Sequence, residues 1–408
     1  MAVKQQLETQ CCIVGGGPAG IMLGFLLARG GINVVVLEKH ADFFRDFRGD
    51  TIHPSTFEVM KELGLLDQFL KIPHEEVTQF KGEWNNVPII LAEFDRLPVT
   101  KSAVGLMPQW DFLNFLSENA SRYPGFKLIM SANVTDVINE NGKIVGIKAE
   151  TKDGELNVRA EITVGADGRH SIIREKAELQ VISSNASIDV LWFKLSRKET
   201  DPGQVIGRFY HGKLMVMLNR NKYWQCGFII KKGKHEEIRQ KGLESFRNYI
   251  ASLAPFISDR VNELKSWEGI KLLSVDIDHL KTWYTDGLIC IGDSAHAMSP
   301  IGGVGINLAL QDAIAAANIL YKPLKEKRQI GPETLKLIQK RRTLPTKLTQ
   351  FFQVKIQNHI FEKRMTEKQN DKPPLVMRLL TRFRFLRKIP ARLIGIGFRP
   401  EHVKTPEA

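Results

Sequence analysis

Short apolar runs and a longer helical pattern alternate at the start of the chain. Residues 11–14 are apolar, residues 18–29 repeat apolar side chains at helical spacing, and residues 34–38 read Val-Val-Val-Leu-Glu. Runs that are apolar on both faces are typical of central parallel strands, and a helix between two of them completes a βαβ unit. The pattern therefore predicts an α/β fold built on a parallel sheet.

Later segments of the chain are expected to return to the same sheet. The pattern predicts helices at 54–70 and 109–123, strands at 127–131 and 161–166, a β-ribbon with turns at Asn141-Gly142 and Asp153-Gly154, and a strand, glycine-rich loop and long helix between 288 and 320. We expect these elements to form one discontinuous domain from residues 1–74, 101–180 and 276–330.

The segments in between have a different pattern. The β-type runs at 188–195, 205–210, 213–218 and 223–230 follow one another closely, which is typical of an antiparallel meander. We expect an inserted antiparallel sheet domain from residues 75–100 and 181–275. In its last run Trp224, Cys226 and Phe228 share one face, which is as typical of a sheet core as of a pocket wall. Residues 331–408 are expected to form a basic C-terminal helical region.

A glycine-rich turn joins the first predicted strand to the first helix. Gly15, Gly17 and Gly20 have G-x-G-x-x-G spacing, in which the first allows a tight turn, the second a close approach of a pyrophosphate, and the third close helix–strand packing. The helix N-terminus offers free N–H groups to phosphates. Glu38 at the end of the second strand is placed to bind a ribose diol, and its charge would repel a 2′-phosphate. The sequence thus predicts bound FAD or NAD.

Two further loops carry candidate chemistry. Asp167-Gly168 follows a predicted strand, although Asp-Gly is also an ordinary turn sequence. Gly292-Asp293 ends another strand, where the carboxylate can bind a polyol hydroxyl. After it, Pro300 and glycines up to Gly305 form a loop without side-chain bulk. A planar ring could lie on that backbone, with a helix N-terminus near Val304 pointing toward it.

The charge of the chain is concentrated at its C-terminal end. The formal net charge is +13, and residues 321–408 contain 22 Lys and Arg against 7 Asp and Glu. No nucleic-acid module accompanies this charge. The four cysteines have no metal-ligand spacing, so we expect reduced thiols, a cytoplasmic protein and no metal site. No secretory signal is evident and no apolar run approaches the length of a membrane span.

In their order and spacing, the three loop motifs resemble those of the FAD-dependent class A flavoprotein monooxygenases of the para-hydroxybenzoate hydroxylase type. The resemblance covers residues 9–320 and implies a Rossmann-like FAD-binding domain of the glutathione-reductase type. It implies that the cofactor is bound by Gly15, Gly17, Ala19, Gly20, Glu38, Lys39, Arg48, Gln109, Asp167, Gly168, Gly292, Asp293, Gly305, Ile306 and Asn307.

The resemblance also implies a reaction. NADPH or NADH would reduce FAD as a transient co-substrate, and a flavin C4a-hydroperoxide would hydroxylate a hydrophobic aromatic or polycyclic substrate. Pro300, Gly302 and Gly303 would line the reacting side of the flavin. The candidate substrate contacts are His211, Trp224 and Phe228, and His53 is a further candidate polar group.

Alternatives remain for both the function and the tail. A flavin-dependent reductase of the geranylgeranyl-reductase type shares much of this fold and would act on a lipid-like substrate without oxygen insertion. A non-enzymatic relative, like the Rab escort proteins, would lack FAD. The stretch from Arg378 to Arg399 alternates basic and apolar residues, which is typical either of a helix covering the FAD domain or of peripheral contact with an anionic membrane.

Overall fold

The computed structural model describes residues 5–44, 51–184, 186–203, 207–358 and 372–408. The strands are β1 Gln5–Val14, β2 Val34–Glu38, β3 Thr51–Ile52, β4 Glu75–Val77, β5 Gln79–Trp84, β6 Val87–Glu93, β7 Val104–Leu106, β8 Phe126–Met130, β9 Asn133–Glu140, β10 Lys143–Thr151, β11 Gly154–Gly165, β12 Val181–Ser184, β13 Ile188–Ser196, β14 Gly207–Tyr210, β15 Lys213–Asn219, β16 Tyr223–Lys231, β17 Lys271–Ser274, β18 Ile277–Leu280, β19 Tyr284–Thr285 and β20 Leu288–Cys290.

The α-helices are α1 Pro18–Arg29, α2 Pro54–Glu62, α3 Leu66–Phe69, α4 Gln109–Ala120, α5 Ile172–Lys176, α6 His235–Gln240, α7 Leu243–Leu253, α8 Gly305–Lys325, α9 Pro332–Gln357, α10 Leu375–Arg382 and α11 Lys388–Gly395. The predicted helix at 54–70 is divided into α2 and α3, because Gly64 adopts a left-handed φ of 70° and ends the first of them.

The first sheet has the strand order β19-β20-β11-β1-β2-β8. Strands β20, β11, β1, β2 and β8 pair in parallel, and the antiparallel ribbon of β9 and β10 is attached to β11. Residues 11–14 and 34–37 are buried, as expected for strands with a helical layer on each face. The predicted α/β fold with a parallel sheet is confirmed.

The apolar helices α1 and α8 pack against each other beside this sheet. Ala19 to Ala28 of α1 are all buried, as are most residues of α8. In the described part of the chain, the segment Ile301–Lys325 is long and apolar enough to cross a bilayer, but 78% of its apolar window is buried inside the protein. Core helices pass the same test of length and composition.

The second sheet has the strand order β17-β13-β16-β15-β14-β5-β6. All its pairs are antiparallel except β14 with β5. One face packs on α7, through a cluster that includes Phe193 and Phe246. The other face carries Val190 and Ile229 and contacts Ile301 of the glycine-rich loop. The two faces therefore have different functions: one forms the sheet's own core, and the other meets the first domain.

The C-terminal helices divide between the two sheets. Helix α9 packs on α8, whereas α10 and α11 pack on β6 at the edge of the second sheet. Glu93 of β6 fixes this contact, because Arg384 Nε donates to its two carboxylate oxygens at 2.8 and 2.9 Å. The stretch Arg378 to Arg399, for which a helix covering the FAD domain was one interpretation, therefore packs on the inserted sheet through α10 and α11, whereas α9 packs on the first domain.

Candidate functional site

The loop between β1 and α1 requires glycine at two positions for reasons internal to the protein. Gly15 has a φ of 109°, and a Cβ there would lie 2.3 Å from the carbonyl oxygen of Ala166. A Cβ on Gly20 would lie 1.9 Å from the carbonyl oxygen of Gly15. Gly17 is different: it precedes the first residue of α1, and among the described residues nothing beyond its two chain neighbours lies within 4 Å of the Cβ position. A ligand can therefore approach the backbone at Gly17 without displacing a side chain.

Glu38 lies beside this loop at the end of β2. Its Oε2 accepts a hydrogen bond from the Gly16 N–H at 2.9 Å, and its Oε1 accepts one from the His40 N–H at 3.1 Å. The carboxylate is half-buried, and the neighbouring Lys39 is exposed. The ribose contact of Glu38 and the cofactor contact of Lys39 remain predictions.

The Asp167-Gly168 turn follows β11, the strand next to β1. Asp167 Oδ2 accepts a hydrogen bond from Ile173 N at 3.2 Å, so the carboxylate caps the start of α5, as the ordinary turn interpretation requires. Its other oxygen, Oδ1, is buried without a hydrogen-bond partner in the described part of the chain, and burial raises the pKa of this side chain. Gly168 has a φ of 86° and open space at its Cβ position.

The Gly292-Asp293 turn follows β20, on the other side of β11. Gly292 has a φ of 60°, and its N–H donates to Asp312 Oδ2 at 3.0 Å. A Cβ on Gly292 would lie 3.2 Å from Cβ of Ala19, so this turn touches the first turn of α1. The three motifs thus meet at the carboxyl ends of the neighbouring strands β1, β11 and β20, where ligands bind in open α/β sheets.

The glycine-rich loop lies between this turn and α8. Gly302 and Gly303 have φ values of 80° and 63°, and a Cβ on Gly303 would lie 2.5 Å from Thr51 Oγ1. Gly305, the first residue of α8, has no described residue outside its own helix turn and chain neighbours within 4 Å of its Cβ position. Asn307 is fixed by Ser55, whose hydroxyl donates to Asn307 Oδ1 at 2.7 Å. The loop is thus tight against its protein neighbours and accessible at the start of α8.

His53 contributes to this site more directly than the sequence suggests. It is fully buried, its Nε2 lies 3.0 Å from the carbonyl oxygen of Gly303, and its Nδ1 has no partner within the described residues. Burial lowers the pKa of His53 to about 4, so the ring is neutral at neutral pH and its Nε2–H donates to Gly303. The only sequence signal was a histidine before a helix-starting proline, Pro54, which carries no information about a partner 250 positions away.

We expect His53 to make the protein less stable in acid. Its pKa is about 4 in the folded protein against 6.5 for the free side chain, so between these values the unfolded chain binds a proton that the folded chain excludes. The stability that is present above pH 6.5 is lost as the pH falls toward 4, by about 3 kcal/mol in total. His53→Gln keeps a donor for Gly303, and urea unfolding should then vary less with pH.

The control for this prediction is His170→Gln, because His170 is an exposed histidine. Its unfolding profile should follow that of the unaltered protein from pH 7 down to the acid limit. If the His53→Gln profile also ran parallel to that of the unaltered protein, the buried neutral ring would be the wrong explanation.

The other predicted cofactor residues are distributed around the same edge. Gln109 is the half-buried first residue of α4, Ile306 is buried in the first turn of α8, and Pro300 begins the glycine-rich loop. Arg48 lies outside the described residues. These cofactor and flavin-side assignments remain predictions.

The predicted substrate contacts are not brought to the glycine-rich loop. Trp224 and Phe228 belong to the cluster against α7, and Trp224 Nε1 donates to Asp201 Oδ2 at 2.8 Å. His211 lies in an exposed turn, where its N–H donates to Asn85 Oδ1 at 3.1 Å. This placement favours a role in the sheet core for Trp224 and Phe228 and a role in the turn for His211, rather than contact with a substrate. The face that does meet Ile301 carries the alternate residues of the same strands.

The loop geometry fits a dinucleotide. The backbone can be approached at Gly17, Gly168 and Gly305, and the buried Oδ1 of Asp167 offers an unused polar atom beside them. Helices α1 and α8 both begin at this edge, so their N-termini supply N–H groups to anionic or electron-rich parts of a ligand.

The chain is similar to proteins of a known family. The model of the FAD binding domain family matches residues 8–350. The 6-methylpretetramide 4-monooxygenase of Streptomyces rimosus is 31% identical over 337 residues, which cover 82% of this chain and 80% of that protein. The fold is similar to the OxyS anhydrotetracycline hydroxylase of Streptomyces rimosus, with a TM-score of 0.75, 18% identity, and 95% of this chain and 76% of that one covered.

The fold is also similar to Pseudomonas aeruginosa PqsL in complex with 2-aminobenzoylacetate, with a TM-score of 0.75, 19% identity, and 88% of this chain and 98% of that one covered. The family match includes all three loop motifs and both sheets. Together with the sequence identity to a monooxygenase across most of the chain, this shows that the chain belongs to the FAD-binding family and is an FAD-dependent monooxygenase.

Proposed function

We propose that this monooxygenase hydroxylates a hydrophobic aromatic or polycyclic small molecule held between the second sheet and the glycine-rich loop, with NADPH or NADH as transient electron donor. The observation that carries the proposal is the apolar sheet face at that loop. The half-buried Trp192 and Val216 lie there beside the buried Val190 and Ile229, and they cluster with Ile301. Such a wall binds planar apolar molecules by area and ring contacts.

The names of relatives support a substrate of this kind. The matched proteins include the 6-methylpretetramide monooxygenase and a rifampicin monooxygenase from Streptomyces venezuelae that is 25% identical over 329 residues. The reductase alternative is not favoured, because the relatives are named as monooxygenases. The alternative without FAD is not favoured, since the FAD binding domain matches.

The residues of the chain bind and orient the cofactor. When bound, FAD supplies the electron transfer from nicotinamide and the oxygen-transfer chemistry. Gly17 and the start of α1 would hold its phosphates, and Asp293 a hydroxyl of its chain. The start of α8 at Gly305 would place N–H groups next to the flavin, where they stabilise negative charge on the reduced ring.

Other residues shape the loop and exclude water. The neutral ring of His53 holds the Gly303 carbonyl at 3.0 Å and so keeps that oxygen within the protein. Helix α11 covers the loop from outside, because Ile394 Cγ1 lies 3.8 Å from the Cβ position of Gly302. Gly395 allows this approach, since a Cβ on it would lie 3.1 Å from both Leu97 and Pro54. A covered apolar site protects a reactive oxidant from hydrolysis.

Trp192→Ala should weaken the binding of aromatic substrates by about tenfold. Trp192 lies on the proposed wall, and its ring would be 3.1 Å from a Cβ on Gly227, so its removal opens the surface on which a planar ligand would lie. Trp267→Ala is the control, because Trp267 packs against the cluster on the opposite face. Binding is measured as the ligand-induced change in the flavin spectrum.

Flavin occupancy should stay unchanged in both variants. Equal effects of the two substitutions on ligand binding would contradict the assignment of the wall. Loss of ligand binding in Trp267→Ala alone would place the substrate on the α7 side of the sheet.

We also propose that the C-terminal helices contact an anionic phospholipid surface. Residues 372–400 contain eight Lys and Arg and no Asp or Glu. Two of the eight, Arg384 and Arg387, are engaged with Glu93. The exposed basic residues of α10 and α11 alternate with large apolar side chains, of which Leu375, Val376, Leu379, Phe383, Phe385 and Ile389 are 38–68% exposed.

The sign of this charge decides between possible partners. A second copy of the chain would bring the same basic surfaces together, so charge repulsion opposes self-association through this face. Anionic headgroups complement the basic residues, and the exposed apolar side chains would enter the interfacial layer. A lipid surface would also concentrate a hydrophobic substrate next to α11.

Vesicle sedimentation tests this surface. The protein should sediment with vesicles of phosphatidylcholine and phosphatidylglycerol and less with phosphatidylcholine alone. Val376→Gln combined with Arg378→Glu should reduce the bound fraction several-fold, because α10 then loses an exposed apolar side chain and carries a negative charge that the headgroups repel. Lys322→Glu, on the exposed side of α8, is the control for net charge. Equal binding of all three proteins would remove the proposal.

A further inference from the structure

A series of buried charged side chains extends inward to the Gly292 turn. Asp312 of α8 is fully buried. Its Oδ2 accepts the Gly292 N–H at 3.0 Å and lies 2.5 Å from His296 Nε2, and its Oδ1 accepts Arg342 Nε of α9 at 2.8 Å. Burial alone would raise the pKa of Asp312, but the charges and hydrogen bonds of His296 and Arg342 outweigh it and lower that pKa.

Glu401 completes this series at its outer end. Arg342 Nη1 lies 3.3 Å from Glu401 Oε1 and donates to the Arg399 carbonyl oxygen at 3.1 Å. Arg341 donates to both oxygens of Glu401, at 2.6 and 3.0 Å. The side chains of Arg342 and Glu401 are 1% and 6% exposed. The buried guanidinium therefore lies between two carboxylates, one on α8 and one in the C-terminal segment 399–408.

The rest of the C-terminal segment is held at the surface. Arg29 of α1 pairs with Glu407, the Asn318 side chain donates to the His402 carbonyl oxygen, and the Val403 N–H donates to Glu62. These exposed contacts can open without unfolding either sheet. The segment also lies beyond residue 350, where the family match ends, so its connection to the Gly292 turn lies outside the region matched to the family.

We propose that Glu401 is a positioning residue for FAD binding: by balancing Arg342 it keeps Asp312 bound to the Gly292 N–H, so that docking of residues 399–408 and binding of FAD favour each other. The proposal rests on the assignment of the Gly292-Asp293 turn to the flavin site. Coupling of this kind is reciprocal, so FAD must stabilise the docked segment as much as the docked segment stabilises FAD.

The geometry explains why the coupling would reach the cofactor. Without Glu401, Arg341 and Arg342 no longer hold the C-terminal segment, and Arg342 Nη1 keeps only the Arg399 carbonyl oxygen of that segment as an acceptor. When the segment undocks, a buried guanidinium N–H group has lost its acceptors, so the side chain moves toward water and Asp312 loses a partner. Asp312 is the acceptor that fixes the Gly292 N–H. A Cβ on Gly292 would lie 3.2 Å from Ala19 of α1 and 3.3 Å from Ala309 of α8, so the turn packs closely on both helices. A shift of this turn therefore moves Asp293 relative to the start of α1.

FAD titration of the full-length, FAD-free protein tests the proposal. Glu401→Gln removes one charge with little change in shape, and we expect the Kd for FAD to rise by about tenfold or more. Glu83→Gln is the matched control, because Glu83 also binds a largely buried arginine, Arg208, but belongs to the second sheet and not to residues 399–408. Its Kd should stay close to that of the unaltered protein. A purely structural role of Glu401 would lower stability and leave this Kd unchanged.

Hydrogen exchange of the unaltered protein gives a second readout that needs no variant. Exchange in peptides from 399–408 should be slower with FAD than without it. An unchanged Kd for FAD in Glu401→Gln would overturn the proposal. If that variant does not fold, equal hydrogen exchange of the 399–408 peptides with and without FAD would overturn it. If the unaltered protein itself failed to bind FAD, the flavin site would be wrong rather than the role of Glu401.

Discussion

Gly17→Ala should leave the FAD-free protein as stable as before and lower its affinity for FAD by about 100-fold, or about 2.7 kcal/mol. Gly17 has a φ of −75°, which any residue adopts, and in the described part of the chain no atom beyond its two neighbours lies within 4 Å of its Cβ position. The added methyl group therefore strains nothing in the protein. It occupies the space through which a pyrophosphate reaches the N–H groups of α1.

Gly331→Ala is the matched control for this prediction. Gly331 also precedes a proline that begins a helix, with a φ of −105° and open space at its Cβ position, but it lies at the start of α9. Its affinity for FAD and its unfolding free energy should match those of the unaltered protein. Unchanged FAD affinity in Gly17→Ala would contradict the pyrophosphate site.

Gly15→Ala should act by a different route. Its Cβ would lie 2.3 Å from Ala166, and its φ of 109° is unfavourable for alanine. The variant is therefore expected to lose stability before FAD is added.

Arg342→Met should lower the free energy of unfolding by about 3 to 5 kcal/mol, because it leaves two buried carboxylates without their shared cation. Asp312 and Glu401 are 0% and 6% exposed at their side chains, so water cannot replace the guanidinium. Urea unfolding of the FAD-free protein measures this loss, and circular dichroism shows whether the variant is still folded at zero urea.

The neighbouring Arg341 provides the control. It binds the same Glu401 but its side chain is 34% exposed, so Arg341→Met should cost no more than about 1 kcal/mol. If both variants lost the same free energy of unfolding, the burial of Arg342 would not explain its contribution to stability.

The cofactor edge of the fold could be predicted from the sequence because its chemistry needs glycine at fixed spacing. Gly15, Gly20 and Gly303 leave no room for a side chain, and such backbone requirements are visible locally. The alternation of apolar strands with a helical pattern likewise predicted the parallel sheet, since strands covered on both faces must be apolar throughout.

The substrate wall could not be predicted in the same way. A strand's two-residue period separates Trp224 from Gly227 but does not say which face meets the glycine-rich loop. Only the position of α7 decides this, because α7 covers the Trp224 face and leaves the Trp192 face to Ile301. Trp224 and Phe228 are predicted substrate contacts because they are aromatic, but aromatic residues are equally typical of a sheet core.

Contacts between distant segments also could not be predicted from the sequence. His53 meets Gly303, Arg342 meets Asp312, and Glu93 meets Arg384, and in each pair a single side chain carries no local pattern. The sequence does not distinguish the basic residues of the tail from one another, whereas in the structure Arg384 and Arg387 bind Glu93 and so dock α10 and α11 on β6. Charge patterns predict possible partners and do not identify the carboxylate that is used.

Transfer of labelled oxygen shows whether the protein inserts an atom of dioxygen into its substrate, as a monooxygenase does. The purified protein is supplied with NADPH or NADH, isotopically labelled dioxygen and a panel of polycyclic phenols, while its visible spectrum and oxygen uptake are recorded. We expect a flavin spectrum, oxygen uptake that rises with the accepted substrate, and one labelled oxygen atom in the product. A flavin that nicotinamide reduces under nitrogen, with a product that gains hydrogen and no labelled oxygen, would contradict this expectation.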